Sequence, residues 1–157
     1  MTAVLRFILT GTGLGKIPQA PGTWGSLWGI PLVWALSQGS DIFYLGFTFL
    51  LIIFGIYAID YAYQFGANED PKEIVWDEIL GYAVSMALLP GELFYYVAAF
   101  ALFRFFDIVK PYPISYLDKN LKGGMGVMLD DALAGIFTNL ILHLVWFYWG
   151  ENIHAIF

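Results

Sequence analysis

Two stretches limit what this chain can fold into more than any others. Ile42 to Ile59 runs for 18 residues and Ala132 to Gly150 for 19, and neither contains an Asp, Glu, Lys or Arg. Runs of this length cross a bilayer as helices, because a helix satisfies all its backbone polar groups internally. Composition points the same way, with 59% hydrophobic, 19% aromatic and only 13% charged residues. Soluble globular chains carry about 25% charged residues. Half that density cannot coat a water-facing surface, so lipid is expected to cover part of the protein. The net charge of −6 argues against a nucleic-acid partner, which would call for a basic face. With no cysteine, disulfides, thiolate zinc sites and cysteine nucleophiles are excluded. No small-residue cleavage site follows the apolar start, so no cleaved signal peptide is expected.

Turn residues divide the remainder. Pro21-Gly22 marks a turn, and Thr23 is placed to cap a helix over Ser26 to Ser37, flanked by Trp24, Trp28 and Trp34. Asp60 closes the first long span, and Tyr61 to Pro71 reads as a polar connection. A helix starting near Pro71 would run to Leu89, and another from Glu92 to Val109. Lys110 to Lys122 reads as a loop with two prolines, and Leu121 to Asp131 as a glycine-rich turn leading into the last span. The chain is therefore expected to be all-α, an integral membrane bundle of about five helices with short cytoplasmic loops. Five crossings place Arg6, Lys16, Lys72, Arg104, Lys110, Lys119 and Lys122 on one face, and only Asp41, Glu92 and Glu151 on the other. An excess of Lys and Arg marks the cytoplasmic side.

Asp77, Glu78, Asp107, Asp130 and Asp131 all fall at helix ends reaching that basic face. Each taken alone reads equally well as a solvated helix end, and Asp77 and Glu78 suit a first turn electrostatically. Five carboxylates at one depth would repel one another strongly unless cations hold them together. All-oxygen ligation points to Mg²⁺, or to Mn²⁺. Arg104 and Lys110 stand three positions either side of Asp107, so a continuing helix would align all three. They read either as intrahelical pairs and membrane-surface charges, or, with Lys122 and the hydroxyl of Thr23, as ligands of a phosphate. His143 and His154 lie far from the acids, so neither serves as nucleophile there. What remains is water, activated by the metal and attacking phosphorus, with Asp77, Asp130 and Asp131 the candidate catalytic groups. A covalent aspartyl-phosphate route stays open, as do the base and the number of metal ions. The rival class is a small cation channel or transporter, which would place its acids at mid-span.

Several separate motifs follow one another in a set order: Pro21-Gly22-Thr23 with Gly25-Ser26, Ile74-Val75-Trp76-Asp77-Glu78, Phe103-Arg104 with Asp107, and Lys110-Pro111-Tyr112-Pro113-Ile114. They continue through Asp118 and Gly123-Gly124-Met125-Gly126-Val127-Met128 into Asp130-Asp131 and Ala134-Gly135. In these motifs the chain resembles the phosphatidylglycerophosphatase A family. Tyr112 stands where the family usually carries Trp. The resemblance implies a bacterial inner-membrane, Mg²⁺-dependent phosphatase of phospholipid synthesis. Such an enzyme converts phosphatidylglycerophosphate to phosphatidylglycerol and phosphate. It also implies one membrane-embedded phosphatase domain over residues 1–157, with its site facing the cytoplasm. A phosphatase of another lipid phosphate remains an alternative, and oligomeric state is left open.

Overall fold

A computed structural model describes residues 3–64 and 73–154, with side chains as far as residue 150. The described residues form seven α-helices and no strand. These are α1 (Ala3–Leu9), α2 (Pro21–Leu36), α3 (Asp41–Gln64), α4 (Trp76–Ser85), α5 (Leu93–Val109), α6 (Ile114–Asn120) and α7 (Gly123–His154), with a 3₁₀ turn at Leu14–Lys16. The all-α expectation holds. The count of about five does not, because the short apolar start forms α1 and the expected loop from Lys110 to Lys122 contains α6.

Several boundaries differ, each for a physical reason. Thr23 does not cap α2: the helix already starts at Pro21, with Ala20 as its N-cap, so Thr23 lies inside the first turn. Asp60 does not end α3, which continues to Gln64. Its carboxylate instead accepts a hydrogen bond from the Gly124 backbone N–H at 2.6 Å, at the start of α7. The fourth helix begins at Trp76, and the expected start at Pro71, like Lys72, lies outside the described residues. It also stops at Ser85 rather than Leu89, and Leu88 adopts φ 60°, which a helix cannot continue.

The glycine run at Gly123, Gly124 and Gly126 is not a loop either. It forms the opening turns of α7, because a Cβ on Gly124 would collide with the Ile56 carbonyl of α3. Glycine there lets two long helices approach closely, the packing device of apolar helix pairs. Asp130 and Asp131 therefore sit seven and eight residues inside α7, about 10 Å from its start.

α4 is the hub, packing against α7, α2, α3 and α5, and Ile79, Leu80, Gly81, Tyr82, Ala83 and Ser85 are all buried. A Cβ on Gly135 of α7 would strike the Gly81 carbonyl of α4. Gly135→Ala must therefore push α7 off α4, an overpacking that costs roughly 1–3 kcal/mol. Thermal unfolding in detergent will show the loss as a lowered midpoint.

Around this core the outer surface is apolar. Leu50 of α3 is 63% exposed and Phe147 of α7 is 81% exposed, and both helices are long and apolar enough to span a membrane.

Candidate active site

All but one of the residues expected to carry chemistry surround one cavity of about 640 Å³ at the end where α3 finishes and α7 begins. Five helix segments build it, among them α6 through Asp118. The first turn of α4 supplies Asp77 and Glu78, where the helix dipole favours acids. The last turns of α5 supply Arg104 and Asp107, α7 supplies Asp130 and Asp131, and the first residues of α2 close one side.

Asp77, Glu78 and Asp131 each present a carboxylate oxygen within 4.8 Å of the others. Asp131 is only 3% exposed. Three buried oxygens, Asp77 Oδ1, Glu78 Oε2 and Asp131 Oδ2, have no hydrogen-bond partner. Buried polar groups are nearly always satisfied, and like charges this close are costly to hold together. Hard, oxygen-only donors with unsatisfied lone pairs fit a divalent cation such as Mg²⁺ or Mn²⁺.

Adjacent residues on a helix point about 100° apart, at 3.6 residues per turn, and that offset divides the aspartate pair of α7. Asp131 turns to α4, with Asp107 beside it. Asp130 turns the other way and accepts a hydrogen bond from Lys110 Nζ. The same Nζ donates to Asp118 of α6 at 2.6 Å, so Lys110 ties α6 to α7. Burial alone would lower the Lys110 pKa, but bonding to Asp118 and Asp130 outweighs it and raises the pKa. Its ammonium stays charged across physiological pH.

Lys110 does not line up with Arg104 and Asp107 as a continuing helix would require. α5 ends at Val109, and Lys110 takes the left-handed conformation at φ 45°, which redirects its side chain. Arg104 bonds Asp107 through Nη1, while its buried Nε has no partner. Lys122 lines the cavity, but Thr23 does not, because only Ala20, Pro21 and Gly22 of that segment face it. His143 bonds the Asn139 carbonyl of its own helix at 3.0 Å, away from the cavity. The side chain of His154 lies outside the described residues.

Two further cavity residues shape the site although the sequence suggested no role for them. Asp118 bonds Lys110 across the Pro111–Pro113 turn, a pairing hidden while that segment read as a loop. Gly22 stands where a Cβ would meet Glu78 Oε1 and the Arg104 guanidinium. Among the described residues, the six carboxylates around the cavity face three basic side chains, Arg104, Lys110 and Lys122.

Fold and site define a class: an apolar helical protein whose acids open into one end cavity, as in an enzyme, instead of lining a path through the bundle. The family profile described as Phosphatidylglycerophosphatase A matches residues 7–146. Phosphatidylglycerophosphatase A of Haemophilus influenzae is 41% identical over 147 residues, covering 92% of this chain and 90% of its own length. The protein of that name in Escherichia coli is 36% identical over 149 residues, covering 94% and 87%. A Bacteroides thetaiotaomicron protein, provisionally named a phosphatidylinositol-3-phosphatase, is 37% identical over 149 residues, covering 86% and 90%. No solved structure matches the chain. The chain belongs to the phosphatidylglycerophosphatase A family, and it is a phosphatase.

Proposed function

We propose that this protein removes the terminal phosphate of phosphatidylglycerophosphate, releasing phosphatidylglycerol and inorganic phosphate in phospholipid synthesis. The supporting observation is the group of unpartnered carboxylate oxygens on Asp77, Glu78 and Asp131 within reach of Arg104 and Lys110. Asp77, Glu78 and Asp131, with Asp107 beside them, would hold Mg²⁺ or Mn²⁺. Such an ion supplies charge neutralisation at the phosphoryl oxygens and acidifies water. Arg104, Lys110 and Lys122 bind the phosphate; Asp130 and Asp118 orient Lys110 for that task. The proton of the attacking water passes to a carboxylate of the set Asp77, Asp130 and Asp131, where Asp130 Oδ1 is also buried and unpartnered.

The protein is proposed to be a multi-pass inner-membrane bundle, one domain over residues 1–157, in which α3 and α7 are long and apolar enough to traverse the bilayer and the shorter α2, α4 and α5 pack among them. Arg6 pairs with Glu73 just before α4, and Arg104, Lys110 and Lys122 line the cavity, while Asp41 and Glu92 begin helices at the other end. Positive charge gathered at the cavity end supports a cytoplasmic site. There a lipid headgroup reaches the acids while its chains remain in the bilayer.

Phosphate release by the detergent-solubilised protein tests the reading on phosphatidylglycerophosphate, phosphatidylinositol 3-phosphate and phosphatidate, with EDTA and then Mg²⁺. Turnover of the first that EDTA stops and Mg²⁺ restores is expected. Preference for the inositol lipid would move the substrate to that class, the reading suggested by the name of the Bacteroides relative. Activity unaffected by EDTA would remove the metal. Lys110→Met forfeits a charge-assisted hydrogen bond worth about 1.5–3 kcal/mol, so kcat/KM is expected to fall at least about tenfold. Lys110→Arg keeps the charge and restores part of it.

A further inference from the structure

A second concavity of about 640 Å³ lies between α2 and α5, and its walls are apolar: Leu27, Pro31 and Trp34 of α2 face Leu93, Val97 and Phe100 of α5. Tyr96 also contributes, but its hydroxyl is engaged by Ser37. Nothing in these walls could bind a headgroup. The groove is built by the helix pair that also closes the polar cavity, since Gly22 begins α2 against Arg104 near the end of α5. Run in opposite directions from that contact, the two helices carry the groove residues in register. Leu27 lies five residues from Gly22 and Phe100 four from Arg104, about 8 Å and 6 Å along the helix axes. Trp34 and Leu93 lie twelve and eleven residues away, about 18 Å and 17 Å. One leaflet of hydrocarbon is about 15 Å deep, half the core of a bilayer.

We infer that the α2–α5 groove is the acyl-chain subsite of the lipid whose phosphate enters the neighbouring cavity, the chain lying along Leu27, Phe100, Val97 and Trp34. The inference rests on the phosphatase reading for the identity of the headgroup, and on continuity along one helix pair for the path of the chain. An extended hydrocarbon leaving the cavity at Gly22 meets the groove within two helical turns and fills it over the depth of a leaflet. The chain reaches the groove from hydrocarbon, so close packing against these walls, and not transfer from water, holds it, and a filled groove is expected to weaken long-tailed substrates.

The groove can be filled without touching the polar cavity. Val97 is 60% exposed, and a Cβ on Gly91 at the far end has open space, so Val97→Trp and Gly91→Leu occupy the groove without a core clash. The full chain in phosphatidylcholine nanodiscs is first treated with phosphatidate carrying a diazirine in one acyl chain, and the crosslinked residues are located by mass spectrometry. Crosslinks to Leu27, Val97 or Phe100 that Val97→Trp abolishes, with much weaker crosslinking by the same chain on phosphatidylcholine, are the expected result. Equal labelling by the choline lipid makes the groove an ordinary lipid contact and overturns the inference. Labelling elsewhere, or crosslinks joining two copies of the protein across this face, also overturns it.

Turnover supplies the second reading. Val97→Trp is expected to lower kcat/KM for dioleoyl phosphatidylglycerophosphate roughly tenfold, the equivalent of about 1.4 kcal/mol of lost chain packing, and to leave the dihexanoyl lipid unchanged. Gly91→Leu should give a smaller loss on the dioleoyl lipid alone. Equal losses on both lipids, or none on either, defeat the inference. Wild-type protein that releases phosphate from neither lipid defeats the phosphatase reading instead, and the crosslinking result still decides the groove.

Discussion

Asp131→Asn will abolish phosphate release while making the metal-free protein more stable. The two effects share a cause. Asp131 is buried beside the half-buried Asp77 and Glu78, and one buried oxygen on each of the three has no partner. Without a cation the group is a repelling cluster in a poorly solvated place, and a buried unsatisfied polar group costs about 1–3 kcal/mol. Asparagine keeps the shape, removes one charge and adds an N–H₂ donor that can serve Asp77 or Glu78, so the melting midpoint in EDTA is expected to rise. The same change removes one anionic ligand of the proposed ion. Several kcal/mol of transition-state charge stabilisation depend on that ion, and a loss of about 4 kcal/mol is roughly a thousandfold in rate. Mg²⁺ should raise the midpoint of the wild type, because it binds the folded state, and do so far less for the variant. Retention of more than a tenth of wild-type turnover, or an unchanged Mg²⁺-dependent shift, would take Asp131 out of the metal site.

Gly22→Ala is expected to cost about a hundredfold in turnover, the scale of a 1 Å misplacement of catalytic groups, without loss of folding. A Cβ here would press on Glu78 Oε1 and on the Arg104 guanidinium, both ends of flexible side chains that can move aside. Their displacement disturbs a metal ligand and a phosphate ligand together. Backbone stability should not fall, since alanine is favoured over glycine in a helix by up to about 1 kcal/mol. An inactive variant with an unchanged or raised thermal midpoint therefore separates this cause from unfolding. Turnover within twofold of wild type would show that α2 does not constrain the site.

Much of the fold was legible in the chain itself. Ile42–Ile59 lies wholly inside α3, and Glu92–Val109 differs from α5 only by its N-cap residue. Uncharged length and turn residues are local signals, and helix formation reads them locally. The misread segments depended on partners distant in sequence. Asp60 looked like a terminator because the Gly124 N–H that it accepts from lies 64 residues away. The glycines after Lys122 looked like a turn because the Ile56 carbonyl that requires them belongs to another helix. α6 was hidden because two prolines stand just before a segment of only seven helical residues.

Taken alone, the sequence determined that the chain is helical and apolar, and that its acids belong to the phosphatidylglycerophosphatase A family pattern. Only the tertiary structure decided which acids act together. Asp130 and Asp131 are neighbours in the chain, yet the 100° step of the helix sends one to Lys110 and the other to Asp77 and Glu78. Arg104 and Lys110 lie on the same segment, yet the left-handed turn after Val109 sends Lys110 to α6 and α7. Helical periodicity is written residue by residue, whereas the rotation of one helix against another is set by close packing, such as that of Gly81 against Gly135, which no single segment contains.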